Sequence, residues 1–160
     1  MEKLRIMMLY YMIAFCMGVA IAIQAPINAA LMRSISSTPV VSALMSFFIG
    51  TLCLVMLAYV SGALNGNVVK MLPQQSWWKY LGGVLGAFFV FGTILLAPKI
   101  GLINMFISVL FAQLIASMVL DSMGAFGLEI KKISWEKVVG LFVVFIGLVI
   151  FFLREIKGDG

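Results

Sequence analysis

The chain has 160 residues, of which 64% are apolar and only 11% are charged, and its formal net charge is +5 at pH 7. The apolar share lies far above the roughly 45–50% of soluble domains, so the composition excludes a soluble globular protein; the mean hydropathy of +1.18 agrees. Lysine and arginine stand singly or in pairs at the ends of apolar runs, which is typical of lipid-headgroup contacts rather than nucleic-acid binding. Histidine is absent, and no acid pair or nucleophile–base set appears. We therefore expect neither an enzyme nor a cofactor or metal site.

Five long segments carry no charged side chain, namely 6–32, 34–69, 80–98, 100–120 and 138–153. A helix needs about 20 apolar residues to cross the ~30 Å hydrocarbon core. We therefore predict five membrane-spanning helices, over residues 4–32, 40–60, 77–97, 102–121 and 136–153. Pro39 suits the first position of the second helix, where its missing N–H costs nothing, and we expect the third helix to stop at Pro98. The predicted fold class is an all-α integral membrane protein with a single transmembrane domain over residues 1–160, in contact with the lipid bilayer.

Cations and aromatic rings are distributed unequally between the two membrane faces. If the spans alternate, seven cations fall on the N-terminal side and four on the other, namely Lys3, Arg5, Lys70, Lys79, Lys131, Lys132 and Lys137 against Arg33, Lys99, Arg154 and Lys157. Every Trp and Tyr also falls towards the N-terminal side, and such rings prefer the headgroup level. The bias predicts a cytoplasmic N-terminus and an external C-terminus. Because the excess is modest, the alternative that a minority of copies inserts in the opposite orientation is left open.

Two amides lie on one face of the first predicted helix. Gln24 and Asn28 are four residues apart and hence neighbours along the helix surface. Pro26 removes a backbone donor between them and favours a kink that exposes polar backbone. Burying an unpaired amide costs about 1–3 kcal/mol. The pair therefore either lines a cavity that holds substrate or water, or forms hydrogen bonds between helices that only fix their packing.

Polar side chains also interrupt the fourth predicted helix, where Asn104, Ser108 and Gln113 are candidate substrate-binding residues. At 100° per residue, the pairs Asn104/Ser108 and Gln113/Ser117 lie on nearly opposite faces. One pair should face the transport path, and the other a neighbouring helix or a partner subunit. Asn104 has the same predicted depth as Asn28, so we predict that these two amides face each other across a cavity.

Asp121, at the end of the fourth helix, is the only acid that could lie inside the membrane boundary. A negative charge at a helix C-terminus is disfavoured by about 0.3–1 kcal/mol, which a cation such as Lys79 or Lys132 would offset. Asp121 is either an anchor at the interface or a residue that couples transport to a proton or cation.

Small residues at four- or seven-residue spacing predict close contacts between helices. The second helix offers the stripe Ser42, Ser46 and Gly50. The third and fifth helices offer Gly82 with Gly86 and Gly140 with Gly147. An odd number of spans means that a duplicated unit would insert upside down, and inverted repeats are common in transporters. Since five helices enclose a substrate path poorly, we expect a partner, either a second copy or a paralogous five-helix subunit.

The motifs, taken in order, resemble those of the YdcZ-like family of bacterial inner-membrane proteins in the drug/metabolite transporter superfamily. They are Gln24-Ala-Pro-Ile-Asn28 with Leu31 and Arg33, Ser46-Phe-Phe-Ile-Gly50-Thr, Leu81-Gly-Gly-Val-Leu-Gly86-Ala, Ala97-Pro-Lys-Ile-Gly101, Gln113-Leu-Ile-Ala-Ser117 and Asp121-Ser-Met-Gly124. The resemblance spans nearly the whole chain and implies half of a ten-helix inverted-repeat transporter in the inner membrane. Ala112 and Ser122 depart from the family pattern, which commonly has Gly before the glutamine and His after the aspartate, and this weakens a proton relay at Asp121.

Two functions are consistent with these observations. The first is a secondary transporter, an exporter or exchanger, for an unidentified small polar or amphipathic molecule. The second is a non-transporting membrane subunit that scaffolds or regulates a partner transporter. The two would differ in whether Gln24, Asn28 and Asn104 converge on a water-accessible cavity or only bond between helices.

Overall fold

The computed structural model describes residues 2–156, and side chains from residue 4 to residue 153. The α-helices in this range are α1 (Glu2–Ser34), α2 (Pro39–Val60), α3 (Gly66–Met71), α4 (Leu81–Ile100), α5 (Leu102–Met123) and α6 (Trp135–Ile156). Short 3-10 segments occupy Leu72–Gln74, Trp77–Tyr80 and Ala125–Gly127. Of the residues in the charge bias, Lys157 and the side chains of Lys3 and Arg154 lie outside the described part.

Five of these helical segments are long and apolar enough to cross a membrane, namely Leu4–Ser34, Pro39–Val60, Trp77–Ile100, Leu102–Met123 and Trp135–Leu153. The remaining helix, α3, has six residues and lies in the polar connection after α2. Its N-cap is Asn65, whose side-chain oxygen accepts hydrogen bonds from the backbone N–H groups of Asn67 and Val68, both at 3.1 Å. No strand occurs between residues 2 and 156. The predicted all-α integral membrane protein with five spans is confirmed.

The third span extends beyond its predicted end at Ala97. α4 continues through Pro98 to Ile100, although proline removes one backbone hydrogen bond and crowds the preceding turn. That turn is held by packing, because Ile94 is fully buried in a cluster with Ala43 and Val90. The helix ends where Gly101 adopts a φ of +81°, a conformation that favours glycine.

The chain forms two compact units that divide after Lys99. In the first unit, Ala43 of α2 packs against Val90 and Ile94 of α4, and Met32 of α1 lies against the same cluster. Gly86 of α4 also approaches α2, since a Cβ there would lie 3.4 Å from Phe47 Cζ.

The second unit packs α5 against α6. The rings of Phe111 and Phe145 lie with their centroids 5.6 Å apart. The connection between the two helices folds back onto the end of α5, because the backbone N–H of Lys131 donates to the carbonyl oxygen of Asp121 at 2.9 Å.

Few side chains are buried inside the chain. Among residues 4–153, the buried apolar side chains are Ala25, Ala29, Ala43, Val90, Ile94, Ala97 and Met105. Most large apolar side chains of the spans are exposed. This arrangement suits lipid, which is as apolar as leucine and leaves van der Waals packing and hydrogen bonds to hold helices together.

Candidate functional site

Gln24 lies on α1 beside α2 and is partly buried. Its side-chain amide donates a hydrogen bond to Ser46 Oγ at 3.3 Å. Next to this pair is a recess of about 190 Å³, lined by Gln24, Ser46, Phe47, Gly50, Thr51 and Leu54. The amide and the two hydroxyl-bearing residues make part of its wall polar. Gln24 therefore takes part in both arrangements that the sequence left open, since it bonds between helices and also borders a cavity.

Asn28 lies one helical turn further along α1 and is only 5% exposed. The small residues Ala25 and Ala29 beside it are buried as well and allow α2 to approach closely. Ser42 of α2, also buried, donates its hydroxyl to the backbone carbonyl oxygen of Asn28 at 2.6 Å. This contact joins the two helices through the backbone of α1, so the Asn28 side chain itself is not part of the bond.

The side-chain nitrogen of Asn28 is the irregular feature of this region. Nδ2 is buried and has no hydrogen-bond partner among the described residues. An orphaned buried donor typically costs about 1–3 kcal/mol. Asn28 also does not border the recess at Gln24. The two amides therefore share a face of α1 but have different surroundings: one lines a cavity, and the other is enclosed with an unused donor.

Ser46, which accepts a hydrogen bond from Gln24, and Ser42, which donates one to Asn28, were predicted only as small residues of a close-packing stripe on α2. Ser42 and Ser46 are four residues apart, as are Asn28 and Gln24 on the facing helix. The bonds connect Ser46 to Gln24 and Ser42 to Asn28, in the order expected of antiparallel helices. The matched spacing of two polar pairs on consecutive spans was a signal in the sequence for this pairing.

The polar residues of α5 have different environments. Ser108 is exposed and donates its hydroxyl to the carbonyl oxygen of Asn104 at 2.9 Å, within its own helix. Asn104 is half-buried, and Gln113 is exposed. Asn104 and Asn28 belong to the two separate units, so their predicted approach across a cavity stays a prediction.

Asp121 lines a larger recess of about 410 Å³ between α5 and α6. Ser117 of α5, Lys131 of the connection and Lys137 of α6 line the same recess. The sequence suggested Lys79 or Lys132 as the cation beside Asp121. The hydrogen bond from the Lys131 backbone to Asp121 explains why the connection brings Lys131 to this recess.

The five apolar spans and the amides within α1 define a multi-pass, all-α membrane protein. The chain belongs to the family described as "Putative inner membrane exporter, YdcZ", whose model matches residues 9–150. This match confirms the resemblance found in the motifs and includes most of α1 and α6. It supports an inner-membrane location and a role in transport, and it points away from an enzyme. No curated protein and no solved structure matches the chain.

Proposed function

We propose that the chain is one half of a secondary transporter, an exporter or exchanger, for a small polar or amphipathic molecule. The observation that carries this proposal is the buried Asn28 amide, whose Nδ2 has no partner among the described residues. Polar groups inside membranes are costly and are more often functional than not. An oxygen of the substrate, or water in the transport path, would accept a hydrogen bond from this amide during the transport cycle.

The recess at Gln24 supports a shared binding site. Its volume of about 190 Å³ is smaller than the roughly 300–1,000 Å³ of typical small-molecule pockets. One chain would thus supply only part of a site, and a second five-helix unit would supply the rest. In this proposal Gln24 and Asn28 contact the substrate. From α5, either Asn104 with Ser108 or Gln113 contributes, because the two pairs lie on nearly opposite faces, and Asp121 has a subordinate role in coupling.

Unused close-packing positions are consistent with a second subunit. A Cβ on Gly82 or Gly147 would meet no atom of the described residues within 4 Å, so these two small residues do not serve close packing within the described part of the chain. We propose that they meet a partner in an antiparallel dimer, which completes a ten-helix inverted-repeat unit. The seven-to-four cation bias favours a cytoplasmic N-terminus. The partner is either an inverted second copy or a paralogue with the opposite bias.

The hydrogen bonds between α1 and α2 favour the second candidate function. Gln24 with Ser46, and Ser42 with the Asn28 backbone, form bonds that fix two helices against each other. A non-transporting subunit that scaffolds or regulates a partner transporter needs such bonds and no substrate path.

Substrate-screened flux in proteoliposomes tests the proposal, with the chain alone and with a paralogous partner. Asn28→Leu and Gln24→Leu each remove a polar contact. Each should lower the initial rate about tenfold or more, since 1.4 kcal/mol corresponds to one factor of ten. Thr93→Val is the matched control. Thr93 is buried in the same unit, and its hydroxyl donates to the Val90 carbonyl oxygen of its own helix at 2.8 Å. The transport rate of this variant should equal that of the wild-type chain.

Thiol accessibility separates the two candidate functions. Cysteines placed at positions 24 and 28, in a chain lacking Cys16 and Cys53, should react with a membrane-impermeant thiol reagent if they line a path. Full protection of both positions, together with full activity of both leucine variants, would contradict the transport site and favour the scaffold.

A further inference from the structure

We infer that the recess between α5 and α6 binds a phospholipid whose headgroup carries a phosphodiester and a primary ammonium group. None of its residues lines the recess at Gln24, because all of them belong to the second compact unit; Asp121 is shared with the proposed coupling role. Its volume of about 410 Å³ lies within the roughly 300–1,000 Å³ of typical ligand pockets.

The charged end of the recess is assembled from three segments of the chain. Asp121 comes from the last turns of α5, Lys131 from the connection and Lys137 from the first turn of α6. The connection is held in place by its backbone hydrogen bond to the Asp121 carbonyl at 2.9 Å. Gly124 makes the required reversal possible, because it has a φ of +59° and a Cβ there would lie 2.6 Å from Ile130 Cγ1. The three charges are thus gathered by the fold and not by neighbouring positions in the sequence.

The combination of charges matches a zwitterionic headgroup. Two lysines can each donate charge-assisted hydrogen bonds to phosphate oxygens. The carboxylate of Asp121 would repel a purely anionic headgroup, but it can accept hydrogen bonds from an ammonium group. A quaternary ammonium has no N–H to donate, so a primary ammonium fits the carboxylate better. An ethanolamine-type headgroup therefore satisfies both signs of charge.

The apolar part of the recess favours a lipid over a soluble phosphate compound. Leu114 and Met118 of α5 line it together with Leu141 and Val144 of α6. On both helices these residues lie closer to the middle of the span than the charged residues do, where the acyl chain of a lipid would run. Near the charged end, Trp135 is 75% exposed, which suits the headgroup level that tryptophan prefers.

Native mass spectrometry of the purified full-length chain tests the site. The delipidated protein is titrated with an equimolar mixture of ethanolamine, glycerol and choline phospholipids that have identical acyl chains. The wild-type chain should retain one ethanolamine phospholipid in preference to the others. Combined Lys131→Gln and Lys137→Gln changes should weaken its binding about tenfold or more, since they remove two charge-assisted contacts. The corresponding arginine variants should keep the lipid, which distinguishes lost charge from misfolding.

Lys132→Gln is the matched control, because Lys132 is adjacent in sequence but does not line the recess. It should leave binding unchanged, whereas Asp121→Asn should reduce the preference for ethanolamine over glycerol headgroups. Soluble glycerophosphoethanolamine in large excess should fail to displace the lipid. The inference is overturned if the wild-type chain prefers the glycerol lipid, if Lys132→Gln weakens binding as much as the double change, or if the soluble headgroup displaces the lipid completely.

Discussion

Replacing Asn28 by leucine should make the folded chain more stable and should impair transport. The side chain is 5% exposed, and its Nδ2 has no partner among the described residues. Leucine has the same branched arrangement of four side-chain heavy atoms and brings no donor that needs satisfying. The hydrogen bond that joins α2 to this position uses the backbone carbonyl of Asn28, so the substitution leaves it intact.

The size of this stabilisation follows from the cost of an unsatisfied buried donor and from the reduction of that cost in a membrane. Removing an unsatisfied buried donor recovers about 1–3 kcal/mol on protein mutational scales. Inside a membrane the gain is smaller, because the unfolded helices also lie in lipid, and hydrogen bonds there average about 0.6 kcal/mol. We therefore expect Asn28→Leu to raise the free energy of unfolding by about 0.5–1.5 kcal/mol. Functional sites commonly reduce the stability of a protein, so a substitution that removes one can raise stability and impair function.

Equilibrium unfolding in mixed micelles titrated with sodium dodecyl sulfate, followed by circular dichroism, measures this change. Thr93→Val serves as the control, since its hydroxyl is already bonded within α4. Ser42→Ala should act in the opposite direction and lower the free energy of unfolding by about 0.5–1.5 kcal/mol, because it removes the bond to the Asn28 carbonyl. If Asn28→Leu destabilises the chain more than Thr93→Val does, the expected gain from removing the unsatisfied donor is absent and the reasoning is refuted.

Three further predictions concern the connection, the orientation and the dimer. Gly124→Ala should lower the free energy of unfolding by about 2–4 kcal/mol, because alanine is strained in the left-handed conformation and its Cβ would overlap Ile130. Gly127→Ala is the control: Gly127 has a φ of +83° but open space around it, so this variant should lose only the stability that the left-handed strain costs, and equal losses for both variants in the same titration would contradict the steric argument. Reporter fusions should place the N-terminus in the cytoplasm and the C-terminus outside, and a shared compartment for both ends would refute five spans. In an antiparallel dimer joined along α6, a single cysteine at Gly147, near the middle of the span, should crosslink to its own copy, whereas one at Gly140, near the end, should not; efficient self-crosslinking at both positions would indicate a parallel pair.

The sequence alone determined the number of spans and the class of protein. Hydrocarbon excludes ionised side chains over a fixed thickness, so each crossing leaves a charge-free run in the sequence that needs no knowledge of tertiary contacts. The common face of Gln24 and Asn28 was also predictable, because it follows from the helical repeat. The end of α4 was not, since burial of Ile94 in a tertiary cluster lets the helix continue through Pro98.

The partners of the polar residues were decided only by the tertiary structure. A membrane helix is apolar around most of its circumference, so hydrophobicity does not say which face meets which neighbour. Helix rotation and approach depend on small residues and hydrogen bonds. These brought Ser46 to Gln24 and left Asn28 Nδ2 without a partner among the described residues. Likewise, the reversal after α5 selected Lys131 for the recess of Asp121. That choice depends on a backbone conformation and a single backbone hydrogen bond, neither of which the order of charges along the chain determines.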